Sequence, residues 1–154
     1  METFLPPYEK NDIHLIISKD KNGLNAGVFF LRVNSWSLNY MMRTSAYAYY
    51  HKTSFLFYSD QASMNNVLID ESPNEDEHFI VVPQYWFNMY INEARRGQLL
   101  IHMAGVLEKD SRSRDLRKIF DNEPSFYQLT SEELRKEVLL FYEFTSNKTL
   151  TNSS

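Results

Sequence analysis

The stretch Gly23-Leu-Asn-Ala-Gly-Val-Phe-Phe-Leu-Arg32, leading on to Trp36, decides how this chain is read. Its second half, Gly27 to Val33, is almost wholly apolar and predicts a central strand covered on both faces. Its first half sets small residues and one amide where a loop enters that strand. Asn25, Ala26 and Gly27 let a ligand approach the backbone and offer an amide that both donates and accepts, which suits a pair of hexose hydroxyls. The plainer reading of the same residues is a tight turn before a buried strand.

Working outward, Lys19-Asp-Lys-Asn-Gly23 is a turn cluster, and His14-Leu-Ile-Ile17 is a short apolar run that predicts a buried strand. Residues 1–12 carry Pro6-Pro7 and predict an extended lead-in, because proline forbids helix there. From Trp36 to Tyr50, aromatic and Met residues recur at helical spacing and predict a buried helix. Ser59 or Asp60 can cap a helix through Leu68. Glu71 to His78 reads as an acidic loop, and Phe79–Val82 and Gln98–Ala104 as two more strands. Glu108 to Phe120 predicts a charged surface helix. Thr130 with Glu133 forms a capping box, opening a helix in which Leu134, Val138 and Phe141 share a face. Residues 146–154 read as a disordered polar tail. These elements make a single α/β domain over residues 1–145, a mixed sheet flanked by helices.

Composition narrows the function classes. A chain of 154 residues with 43% hydrophobic and 15% aromatic residues can bury one core. Ten Tyr and eleven Phe suit a sugar site as well as a core, since buried phenols need partners and rings often face sugars. A net charge of −4 offers no basic footprint for nucleic acid. No stretch approaches the ~18 apolar residues of a membrane span, and Met1 to Lys10 lacks the pattern of a signal peptide. The sequence contains no cysteine, which excludes disulfide and thiol chemistry.

Other segments share the pairing of a polar group with an apolar run. Asp60-Gln61 puts a carboxylate and an amide at a helix start, able to orient a hydroxyl or face a developing oxocarbenium charge. A helix cap explains the same pair. Gln84 and Asn88 follow a strand end through Pro83, a common place for site residues in α/β sheets, while Trp86 and Phe87 read as core. His102 lies in an apolar run with Gly105 three residues on. It is either a satisfied core histidine or a single imidazole ligand. Glu75-Asp76-Glu77 reads as a solvated charge run, and the basic residues Lys109, Arg112, Arg114, Arg117 and Lys118 alternate with acids as on a surface helix. Asn147-Lys-Thr149 and Asn152-Ser-Ser154 match the glycosylation pattern.

The order of these segments, and above all Leu24-Asn-Ala-Gly-Val-Phe-Phe-Leu-Arg32 with Trp36-Ser37 and the His102-x-x-Gly105 segment, resembles fungal members of glycosyltransferase family 34 between about Ile16 and Ala104. The resemblance implies the C-terminal portion of a GT-A, Rossmann-like fold. It implies retaining transfer of galactose or mannose from a UDP- or GDP-hexose donor to a glycan acceptor, with manganese or another divalent ion. Carried over by position, His102 would be a metal ligand; Asn25, Ala26 and Gly27 would line the donor sugar. Asp60 and Gln61 would flank the reacting centre, and Gln84, Asn88 and Gly105 would border the substrate. The family's Asp-x-Asp motif does not occur in the sequence, and Leu107 stands where plant relatives carry a lysine, with Lys109 nearby. The family location is the Golgi lumen; the chain as written, without a leader, would be cytoplasmic. A complementary N-terminal half or a partner in a glycosyltransferase complex is expected. The alternative function is a non-catalytic remnant or an interaction subunit of such a complex.

Overall fold

A two-residue turn, Lys21-Asn22, folds strand β1 (Leu15–Asp20) back on strand β2 (Gly23–Leu31). The computed structural model describes residues 2–56, 59–70, 75–93, 99–122 and 130–151. Gly23 takes a φ of 109°, a conformation that strains any L side chain, and Asp20 Oδ1 accepts from Asn22 N at 2.7 Å to close the turn. Strand β3 (Phe79–Val82) pairs in parallel along the other edge of β1, so the mixed sheet has the order β2-β1-β3. The chain divides into two compact units, residues 12–84 and residues 1–11 with 85–154.

The sheet unit, residues 12–84, is built around β1. Leu15, Ile16, Ile17 and Ser18 are all buried, because neighbouring strands flank β1 and apolar groups cover both faces. This corrects the expectation for Gly27–Val33. That run lies in β2, at the end of the strand order, and Val33 beyond it is fully exposed. Apolar composition alone could not tell a covered edge strand from a central one.

Helix α1 (Ser35–Tyr50) starts at Asn34, whose side chain accepts from Ser37 N at 2.9 Å. Only Ser37, Tyr40, Thr44 and Tyr47 are buried, one stripe at helical spacing, while Leu38, Met42, Tyr49 and Tyr50 face solvent. The helix is therefore half-covered rather than buried all round. Helix α2 (Ser59–Asp70) packs beside it: Tyr40 Oη donates to Met64 O at 3.1 Å, and Arg43 Nη2 to Val67 O at 3.3 Å. Leu15, Ile17, Leu24, Tyr40, Tyr47, Met64, Val67 and Leu68 form one core. Of the expected acidic loop, residues 71–74 lie outside the described residues, and Glu75–Glu77 form a 3-10 turn.

The helical unit, residues 1–11 and 85–154, is ordered differently. Strands β4 (Met89–Tyr90) and β5 (Ile101–His102) pair in parallel over two residues each. The strand expected over Gln98–Ala104 is thus much shorter, with Gln98 itself outside the described residues. Residues 1–12 are not simply extended: 3-10 turns at Glu2–Phe4 and Tyr8–Lys10 flank the prolines. Pro7 sits just before the second turn at φ −62° and ψ 158°, a position that needs no proline N–H. Helix α3 (Lys109–Asn122) buries no side chain fully, as a charged surface helix should.

Helix α4 (Ser131–Thr151) opens on the expected capping box. Thr130 Oγ1 accepts from Glu133 N at 3.2 Å, and Glu133 Oε2 accepts from Thr130 N at 2.9 Å. Its buried stripe is Leu134, Val138 and Tyr142, with Phe141 half-buried beside it. The helix continues through Thr151, past the point where polar composition reads as fraying; neither Gly nor Pro interrupts it. Residues 152–154 lie outside the described residues.

Candidate functional site

The register of β1 on β2 jumps between Ile17↔Phe29 and Ser18↔Asn25. Ala26, Gly27 and Val28 therefore have no partner on β1 and bulge out of the ladder. Side chains hold the loose backbone of this bulge. Asn25 Oδ1 accepts from Gly27 N at 2.9 Å, and Asn25 Nδ2 donates to Asp20 Oδ2 at 2.9 Å. Gln61 Oε1 accepts from Ala26 N at 3.3 Å. Asn65, one turn further along α2, has its Oδ1 3.7 Å from where a Cβ on Gly23 would sit.

Five of the sequence-derived site residues thus come together in the sheet unit: Asn25, Ala26, Gly27, Asp60 and Gln61. The bond between Ala26 and Gln61 joins two motifs 35 residues apart. Asp60 is exposed in the first turn of α2, where the helix dipole favours a carboxylate, and its Oδ1 accepts from Gln61 N at 2.8 Å. Gly27 is exposed, whereas Asn25 is 2% exposed. The Asn25 amide is turned inward onto Asp20 and Gly27, and Gly27 is the exposed residue of the bulge, with Ala26 and Val28 half-buried beside it.

Gln84 lies two residues beyond β3, whose last residue, Val82, is aligned with Ser18. The carboxyl ends of the parallel pair β1 and β3, the bulge of β2 and Gln84 therefore share one edge of the sheet. Open α/β sheets commonly bind ligands at such an edge. The opposite edge carries a ring cluster. His14 stacks on His78 at 5.0 Å, and Trp36 lies 5.5 Å from His14 and 5.3 Å from His78. His14 Nδ1 is buried. Burial, then the charges of His78 and Arg32, push the His14 imidazole below its ordinary pKa, against a smaller opposing pull from Asp12.

Asn88, His102 and Gly105 belong to the helical unit. Asn88 is fully buried immediately before β4. His102 is half-buried, paired in register with Tyr90, the ring centroids 5.8 Å apart. Gly105 turns the chain after β5 with a φ of 65°; a Cβ there would meet nothing within 4 Å, so backbone conformation rather than space calls for glycine. Trp86 and Phe87 are core, as their composition implied. Among the described residues no group of three or more His, Cys, Asp or Glu side chains could hold a metal ion. His102 offers one imidazole, fewer ligands than a bound divalent ion takes, so the described residues do not by themselves fit a manganese centre.

One residue of this edge carried no role in the sequence reading. Asp20 was legible only as part of a turn, although an Asp two residues before Asn-Gly is itself a turn-closing signal. Its second carboxylate oxygen, directed at Asn25, has no signature in the sequence.

Among the described residues no helix is long and apolar enough to cross a membrane. No curated protein and no solved structure gives a significant match to the chain. One family profile does match, over residues 7–112, a span that contains the bulge, Asp60-Gln61, Gln84, Asn88, His102 and Gly105 and stops before α4. With more than half of its length matched, the chain belongs to the galactosyl transferase GMA12/MNN10 family.

Proposed function

We propose that the chain is a hexosyltransferase component, built on part of a GT-A fold, that takes galactose or mannose from a nucleotide-sugar donor for a glycan acceptor with retention of configuration. The supporting observation is the Ala26–Gln61 bond, which gathers the two sequence motifs at the end of the sheet where α/β folds commonly bind ligands. In this reading the donor sugar lies against the Ala26-Gly27 backbone. Asp60 faces the reacting carbon, and Gln84 borders the sugar. Asn25 shapes the bulge from within. By the family resemblance Asn88 and Gly105 would be substrate-binding residues and His102 a metal ligand, and manganese would need ligands beyond His102. On this reading the protein would act in the Golgi lumen.

The test is a thermal melt of the purified chain with UDP-galactose or GDP-mannose, followed by a transfer assay. A donor at 100 times its Kd stabilises a native-state site by about 2.7 kcal/mol. Asp60→Asn, which keeps shape but removes charge, should leave that shift in place and lower transfer by about 10²-fold. Transfer unchanged in Asp60→Asn would remove that residue from the reacting centre.

A second reading, a non-catalytic interaction subunit, is favoured by the exposed stripe Leu38, Met42 and Tyr49 along α1. Absence of any donor-dependent shift would favour it over the first.

A further inference from the structure

We infer that Asp20 is a positioning residue whose carboxylate fixes the conformation of the Ala26–Val28 bulge, and with it the hydroxyl-accepting surface offered to a donor sugar. The last clause rests on the function proposed above; the first does not. An ionised carboxylate only accepts hydrogen bonds, so Asp20 Oδ2 can take only the Nδ2 end of the Asn25 amide, at 2.9 Å. That choice turns Asn25 Oδ1 towards Gly27 N, also at 2.9 Å. The other oxygen of Asp20 is engaged by Asn22 N at 2.7 Å, so the carboxylate is itself held by the hairpin turn. Orientation therefore passes along a chain of three hydrogen bonds, from the turn to Asp20, to Asn25, to the peptide of Gly27.

The peptide between Ala26 and Gly27 is trans, so fixing its N–H on Asn25 directs the Ala26 carbonyl the opposite way. A carbonyl held in one direction is a fixed acceptor that a sugar hydroxyl can meet. Gln61 holds the preceding N–H from α2, so both peptides at the bulge are oriented by side chains rather than by the ladder. With a neutral or apolar residue at position 20, the Gly27 N–H alone would set the flip of the Asn25 amide, and one of its two constraints would be lost.

Amide hydrogen exchange on the full chain tests the inference in Asp20→Ala and in the isosteric Asp20→Asn. Asp20→Ala should speed exchange at Gly27 about tenfold, while the laddered amides of Phe29 to Leu31 stay within about twofold. Asp20→Asn, with one acceptor oxygen for two donors, should give a smaller acceleration at the same site. It also keeps the test alive if the alanine variant does not fold. Unchanged exchange at Gly27 in a folded variant, or acceleration spread evenly over β2, would overturn the positioning role. Titration of both proteins with UDP-galactose and GDP-mannose then separates the two claims. A roughly tenfold weaker donor affinity in Asp20→Asn is expected. Unaltered affinity beside accelerated exchange would overturn the link to the donor. No donor binding by the unsubstituted chain would overturn the proposed function, and exchange at Gly27 would still decide the role of Asp20.

Discussion

The two units of this chain are held together by different means. In the sheet unit a backbone ladder on both edges of β1 carries the strands, and side chains are needed only at the bulge of β2, where Asp20, Asn25 and Gln61 hold it. In the helical unit the paired strands are two residues long, and side chains of α4 supply the order. Arg135 Nη1 donates to Thr3 O at 3.0 Å and also to Leu5 O, and Tyr142 Oη donates to Phe4 O at 3.1 Å. Glu137 Oε1 accepts from Tyr85 Oη and from Trp86 Nε1 at 3.2 Å. Trp86 packs edge-on to Phe141 at 5.1 Å and lies 6.0 Å from Phe4. Burial pushes the Tyr142 phenol above its ordinary pKa, keeping it a neutral donor. A ladder shares its load over many equivalent bonds. A clasp of side chains concentrates load on a few residues.

The largest expected effect follows from that concentration. Trp86 is 1% exposed, so Trp86→Ala should cost about 3–5 kcal/mol in urea denaturation, as large aromatic deletions in cores do. If the clasp is the support, exchange protection should be lost first in α4 and around Met89. Retained protection in α4 would contradict this account of the helical unit.

A polar pair sharpens the contrast at smaller scale. Glu137 is half-buried and receives two donors on a single carboxylate, so Glu137→Gln should cost about 1.5–3 kcal/mol, the range for hydrogen bonds to charged groups. Gln61→Ala in the sheet unit removes one neutral bond of 3.3 Å and should cost about 1 kcal/mol or less. Equal losses by chemical denaturation would erase the difference between the two supports.

The same difference explains what the sequence disclosed. His14–Ile17, Phe79–Val82, the existence of α1 and the Thr130–Glu133 box were legible because each is a local period or a local cap, whereas which face of α1 is covered was not. The place of β2 at the end of the sheet was not, since strand order is a long-range outcome that apolar runs do not encode. The gathering of Asp60-Gln61 onto Ala26 followed from motif order and family resemblance, not from spacing. Asp20 escaped because its partner choice depends on a three-residue register jump that no pattern of two reveals. In the helical unit the Glu137 clasp escaped for a related reason: its partners lie about fifty residues away and share no periodicity.

Acid should separate the units further. His14 is held below 6.5, so its neutral form belongs to the folded state. The unfolded chain binds the extra proton first, and stability contributed above pH 6.5 is lost as pH falls through the folded value. The proton is opposed by stacked His78 and by Arg32 and favoured by Asp12, with Trp36 closing the cluster. His14→Phe should keep the stacking area and flatten the decline of stability below pH 6.5. A slope that survives His14→Phe would move the sensor elsewhere.

The smallest effect belongs to the helical unit and sits lower on the pH scale. Hydrogen bonds from the Thr130 backbone and hydroxyl hold the Glu133 carboxyl below 4.5. A depressed carboxylate contributes above the unfolded value and stops contributing as pH falls through the folded one, so the cap of α4 should persist at pH 6 and fail below 4.5. Thr130→Ala removes the hydroxyl that both donates to Glu133 and caps Glu133 N, so its effect on exchange at the first turn of α4 should shrink in acid to the part the cap bond to Glu133 N supplies. Between pH 6.5 and 4.5 the sheet unit should loosen at its His14 edge while the α4 cap stays closed. Loosening of both ends at the same pH would mean that one shared titration, rather than two local ones, governs the acid response.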